Sequence, residues 1–269
     1  MSRQKLADLF ATCRSDGRAA LMPYMTAGLP SPAESAGLFV AMADAGADAF
    51  EVGIPYADPL MDGPVVQAAG ERALRAGSGV EVGLAILEDV VAKTGKPAVV
   101  MTYVNPVLRL GIERFAGAVA DAGGSGVIIA DLPVDEAQPF ADALGARDLG
   151  LVLFVAPTTT ERRLERVVAA DPPFVYGIAE IGVTGERSEV SGHIAALVNR
   201  VRRLGDVPVV AGVGIATPEQ AHYVAAEADG VIVGSALVRR VMEASDAAAA
   251  ALSLGKAVEE LAEAVWRTD

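Results

Sequence analysis

One cysteine, Cys13, is too few for an internal disulfide and points to a reducing compartment rather than a stapled scaffold. Two histidines, His193 and His222, cannot build a His/Cys metal cluster with that lone thiol. Both fall in segments of helical pattern, where surface roles are expected. Basic residues are in deficit, 22 Lys and Arg against 35 Asp and Glu, which gives a net charge of −13 and a pI near 4.6. Such a chain is a poor coat for nucleic acid or for an anionic membrane. No run approaches ~18 uninterrupted apolar residues, so no membrane span is expected. Charges scattered through the first 18 residues break up the apolar core that a secretion signal needs. Neither a Gly-x-Ser-x-Gly elbow nor a Ser-His-Asp arrangement is present. These absences lead us to expect a cytoplasmic globular protein without a metal, a nucleic acid or a membrane as partner.

What is present is apolar and well punctuated: 52% hydrophobic residues, 28 Gly and 15 Pro, a globular composition. Runs rich in Val, Ile, Phe and Tyr recur at 20–27, 49–55, 97–103, 126–131, 150–156, 174–180, 207–213 and 230–234. They are almost continuously apolar, as strands covered on both faces of a parallel sheet must be. Helical segments lie between them. Ser31-Pro32-Ala33-Glu34 and Thr217-Pro218-Glu219-Gln220 each read as a capping box with Pro in the first turn. Residues 112–122 place Ile112, Phe115, Val119 and Ala122 on one face, and 247–267 read as a closing helix. Eight strand-helix units and no linker predict an α/β fold, a single-domain (β/α)8 TIM barrel spanning residues 1–269 with an extra N-terminal helix. A doubly wound open sheet is the alternative.

In such a barrel the chemistry lies at the C-terminal ends of the strands. The second run reads Phe50-Glu51-Val52-Gly53-Ile54-Pro55 and continues Tyr56-Ala57-Asp58-Pro59-Leu60-Met61-Asp62-Gly63-Pro64. Glu51 is an acid inside an apolar strand. It is either a structural, salt-bridged or outward residue, or a buried carboxyl whose raised pKa suits proton transfer near neutral pH. Asp58 and Asp62 lie in a loop stiffened by Pro59 and Pro64, where carboxylates commonly cap turns; Asp62 is also placed to face a ligand. Asp131 and Glu180 are further acids at strand ends, Asp131 reading as the N-cap of the helix that follows. Late in the chain, Gly212-Val213-Gly214 follows the seventh run and Gly234-Ser235 follows the eighth at a helix start. That pair of loops is the recurrent phosphate site of these barrels, because glycine lets backbone N–H groups reach the anion and the helix dipole favours it. The segment Gly182-Val183-Thr184-Gly185-Glu186-Arg187-Ser188 suits a mobile lid or an ordinary exposed loop.

These segments, in this order, resemble the tryptophan synthase alpha chain family, essentially end to end. The resemblance rests on Tyr24-Met25-Thr26-Ala27-Gly28, on Phe50 to Gln67, and on Met101-Thr102-Tyr103-Val104-Asn105-Pro106. Ala130-Asp131-Leu132-Pro133, Ala156-Pro157-Thr158, Gly182-Val183-Thr184-Gly185, Gly212-Val213-Gly214-Ile215 and Gly234-Ser235-Ala236 complete it. It implies cleavage of indole-3-glycerol phosphate to indole and glyceraldehyde 3-phosphate. It further implies a tryptophan synthase beta chain as partner in an alpha2beta2 heterotetramer. The alpha chain would carry no cofactor, and pyridoxal phosphate would belong to the beta chain. By the same resemblance Glu51 matches the general acid/base and Asp62 the carboxylate that holds the indole N–H. Thr184, followed by Gly185, matches the lid residue that bonds that aspartate. Gly214, Gly234 and Ser235 match the phosphate site, Tyr176 a residue near the substrate, and Asp58 with Pro59 a beta-contacting loop. Leu29 stands where many members have Asp, Val213 where many have Phe, and the run 178–181, with Glu180, differs from the family. None of these removes a catalytic group. A free-standing lyase that works without beta, and a catalytically weak regulatory subunit of beta, are the competing readings.

Overall fold

The computed structural model describes residues 2–178, 187–212 and 214–267, with the backbone alone for 187–192. Its strands are β1 (Ala20–Thr26), β2 (Phe50–Gly53), β3 (Ala98–Thr102), β4 (Gly126–Ile129), β5 (Gly150–Val155), β6 (Val175–Gly177), β7 (Val209–Ala211) and β8 (Gly230–Val233). They pair in sequence order, all parallel, and β8 returns to β1 to close the barrel. Each apolar run therefore became a strand, and closure rules out the open sheet. Almost every strand residue is buried, because side chains fill the interior on one face and meet the helix layer on the other.

Helices follow the strands and form that outer layer. Ile112–Asp121 buries Phe115 and Val119 as the spacing predicts, and Ala247–Ala264 closes the chain. Thr217 and Gln220 form the expected capping box on Pro218–Glu227. The box expected at Ser31 does not form. Ser31 Oγ bonds the Glu34 carboxylate at 2.5 Å, so both partners are consumed in a turn and the helix begins at Ser35. Ser35 turns its own hydroxyl back to accept the Gly28 N–H at 3.0 Å. Among the described residues, no helix is long and apolar enough to cross a membrane.

The floor of the barrel is tied by two nearly buried aspartates. Asp48 accepts the Leu21 N–H at 2.9 Å and a two-pronged contact from Arg18 at 2.7 and 3.0 Å. Asp229 accepts the Val209 N–H at 2.9 Å and pairs with Arg14 and Arg202, both at 3.4 Å. Each carboxylate caps the start of a neighbouring strand and has cationic partners, which is how a buried charge is normally accommodated. Beneath the strands the helix Ser2–Ser15 packs Leu6, Phe10 and Cys13 into the core, the extra N-terminal helix anticipated above. Arg18 bridges to Trp266, lies over its ring, and ties the segment after that helix to the one that follows Ala247–Ala264.

Candidate active site

Glu51 is handled quite differently from the floor aspartates. It lies in β2, only 3% exposed, and its Oε2 has no hydrogen-bond partner. Burial, and next the nearby Asp62 carboxylate, push its pKa up from 4.5 to about 8. A structural acid would have been paired, as Asp48 and Asp229 are. An orphaned, buried carboxyl that stays protonated at neutral pH has the chemistry a proton donor needs.

Asp62 lies on the loop after β2, just before Gly63, which caps the helix Pro64–Arg75 with Pro64 in its first turn. Gln67 reaches back from that helix to the Asp62 carbonyl at 2.8 Å and the Pro59 carbonyl at 3.4 Å, fixing the loop from behind. Burial raises the Asp62 pKa from 3.8 to about 6, opposed by a hydrogen bond with the Tyr103 hydroxyl. Two neighbouring carboxyls are thus held apart in acidity. Between roughly pH 6 and 8 the pair is one neutral acid and one carboxylate, the division of labour that acid/base sites are built to provide.

The register brings one of the phosphate candidates, Gly234, close to Glu51. Tyr24 on β1 is opposite Glu51 on β2, and Pro23 is opposite Val233 on β8, so Gly234 adjoins Tyr24. A Cβ built at Gly234 would touch the Tyr24 ring at 3.4–3.6 Å. Gly234, Tyr24 and Glu51 therefore lie side by side across three neighbouring strands. Gly234 also caps the helix Ser235–Glu243, whose first N–H groups have no intrahelical acceptor. Gly214, at φ +81°, and Ser235 are both exposed at the ends of β7 and β8. Tyr176 on β6 is buried and stacks on Phe154 at 4.9 Å; burial first, and then the neighbouring Glu51, Tyr24 and Asp62, hold its hydroxyl protonated.

Glu51, Asp62, Tyr176 and Gly234 thus converge, with Gly214 and Ser235 on the same rim. Asp58 and Pro59 sit on the loop outside, beside Leu60 and Met61, which are 78% and 59% exposed. Thr184, Gly185, Glu180 and Val213 lie outside the described residues. Asp131 does not cap the helix that follows it. Its Oδ1 accepts the Val104 N–H at 2.7 Å and so caps the helix Val104–Leu110 of the preceding unit, because neighbouring loops meet side by side at the mouth. Leu29 is wholly buried. Among the described residues no group of His, Cys, Asp and Glu is arranged to hold a metal.

Two residues were passed over in the sequence. Tyr24 and Tyr103 lie beside the carboxyl pair, and for Tyr24 the signal was a glycine. A Cβ at Gly53 would meet the Tyr24 hydroxyl at 2.3 Å, so the strand must lack a side chain there for the ring to lie over it.

Fold and site together define a class: a TIM-barrel enzyme whose paired carboxyls share the mouth with a glycine-bordered helix N-terminus. The sequence profile of the family described as tryptophan synthase alpha chain matches residues 10–265. The tryptophan synthase alpha chain of Nocardia farcinica is 45% identical over 98% of this chain and 97% of its own length. That of Acidothermus cellulolyticus is 46% identical over 95% and 94%. A crystal structure of tryptophan synthase from M. tuberculosis superposes with a TM-score of 0.88 at 40% identity, covering 98% of each chain. The alpha subunit from Legionella pneumophila gives 0.89 at 30% identity, again over 98% of each. The chain belongs to the tryptophan synthase alpha chain family and is a lyase of tryptophan biosynthesis.

Proposed function

We propose that this chain, acting as one domain, cleaves indole-3-glycerol phosphate to indole and glyceraldehyde 3-phosphate, with Glu51 and Asp62 as its catalytic residues. The supporting observation is the unpartnered, protonated Glu51 beside an ionisable Asp62. Glu51 gives its proton to indole C3, which leaves the ring as an iminium cation. The Asp62 carboxylate accepts the indole N–H and stabilises that cation, an interaction stronger in a pocket shielded from water. Glu51, now a carboxylate, removes the proton from the side-chain hydroxyl next to C3. The oxygen electrons form the aldehyde, the C–C bond breaks, and its electron pair neutralises the ring. Glu51 ends protonated, as it began.

The phosphate is held by backbone N–H groups at Gly214, Gly234 and Ser235, and the helix dipole lets an acidic protein bind an anion. Tyr176 lines the substrate, and the family resemblance assigns Thr184 and Gly185 to the same site. These steps need no cofactor in this chain. Asp58 and Pro59, with exposed Leu60 and Met61, face a beta chain that carries pyridoxal phosphate, in an alpha2beta2 assembly in the cytoplasm.

An indole-release assay on the isolated chain, repeated with a cognate beta chain, tests this reading. Strong activation supports the complex, high activity alone supports a free-standing lyase, and no indole in either case leaves a regulatory subunit. Glu51→Gln abolishes release in both settings; near-normal release by that variant refutes the mechanism. Asp62→Asn loses most turnover with phosphate binding retained, and equal loss of both would reduce Asp62 to a loop residue.

A further inference from the structure

Tyr103 follows β3 and is 2% exposed despite standing at the barrel mouth. Its ring is fixed from several directions. Tyr56 stacks on it at 5.2 Å, and Asn105 donates to the Tyr56 hydroxyl at 3.0 Å. The next residue, Val104, is clamped by Asp131. The hydroxyl so positioned accepts the Met61 backbone N–H at 3.2 Å and bonds the carboxylate of Asp62 one residue on. A phenol has one hydrogen to give. With Met61 supplying a donor, that hydrogen is free for Asp62, and only the ionised carboxylate accepts it whichever way its oxygens turn.

We propose that Tyr103 is the positioning residue of the carboxyl pair: its hydroxyl pins the loop at Met61 and keeps Asp62 ionised and oriented for the substrate ring. This deepens the reading of Asp62 as the charge-stabilising carboxylate and rests on it. Burial favours the neutral acid at Asp62, and the Tyr103 hydrogen bond opposes it. The other ionisable groups electrostatically linked to this site are Glu51 from β2, Tyr24 from β1, Tyr176 from β6 and, toward Tyr103, Asp131 after β4. Among them, only Tyr103 bonds the Asp62 carboxylate.

The test is Tyr103→Phe, which keeps the stacked ring and removes only the hydroxyl. Carboxyl NMR titration of the full chain, with Asp62 assigned through Asp62→Asn, reads the ionisation without turnover. The Asp62 midpoint is expected to rise by about one pH unit. In parallel, the acid limb of kcat/KM for indole release moves up by the same amount, so activity falls more at pH 6 than at pH 8. An unmoved midpoint, or an equal loss at every pH, overturns the proposal. If the midpoint moves but the wild-type limb does not follow Asp62, Tyr103 positions Asp62 as stated and the catalytic reading of Asp62 is what fails. Should Tyr103→Phe not fold, Tyr56→Leu, which frees the ring from its stack, is expected to raise the midpoint in the same direction by less; no change there also overturns it.

Discussion

Replacing Glu51 by Gln should make this protein more stable, by an amount that depends on pH in a defined way. The folded state holds Glu51 protonated up to about pH 8, whereas in the unfolded chain it ionises near 4.5. The native state therefore binds more protons than the unfolded state between those values, and stability must fall as pH rises through that window. At 3% exposure solvent does little to soften the effect. With 1.36 kcal/mol per unit, the group destabilises the fold by about 1 kcal/mol at pH 5, about 3 at pH 7 and close to 5 above pH 9. Glutamine keeps the shape and carries a buried amide whose cost is the same at every pH. The informative quantity is thus the growth of the difference between variant and wild type. Urea unfolding followed by circular dichroism at half-unit steps from pH 5 to 9 measures it. A difference that stays level across that range would show that Glu51 is ionised in the native protein, and the acid role would fall with it.

The same two ionisations give a bell-shaped kcat/KM for indole release, highest near pH 7 and down to about a tenth at pH 5 and pH 9, since neutral Glu51 and ionised Asp62 must coexist; a flat profile over that range contradicts the assignment. Gly53→Ala places a methyl 2.3 Å from the Tyr24 hydroxyl and is expected to cost about 1–3 kcal/mol. Most of that loss should be absent in a Tyr24→Leu background, so strictly additive losses in the double-mutant cycle argue against the contact. Gly234→Val obstructs the backbone at the helix start and should raise KM about tenfold or more with kcat changed little, a loss on the scale of one charge-assisted hydrogen bond; an unaltered KM removes the phosphate from this site.

The barrel could be read from the sequence because parallel strands buried on both faces leave unbroken Val- and Ile-rich runs, and all eight did. The carboxyl pair was legible for the opposite reason: Glu51 interrupts such a run. Less visible was anything set by the meeting of loops. Asp131 sits ahead of its own 3-10 turn in the chain, and nothing local says that it caps the helix of the previous unit. Ser31 and Glu34 have the right spacing for a cap, yet the competing side-chain bond between them is equally local and it prevails. Tyr103 was in plain view within its motif, but its purpose depends on Met61 and Asp62, some forty residues earlier. Strand glycines were the overlooked cue, since Gly53 marks where Tyr24 lies.

The join on the barrel floor has a practical side. Ala19 donates to the Val265 carbonyl at 3.0 Å and Arg267 to the Gly17 carbonyl at 3.1 Å, so the segments leading to the two ends run together beneath the strands. Anything grafted there, whether an affinity handle, a fluorescent reporter or a tether to a surface, would hang from the side opposite the chemistry. Substrate entry and the exposed Leu60 and Met61 would stay open.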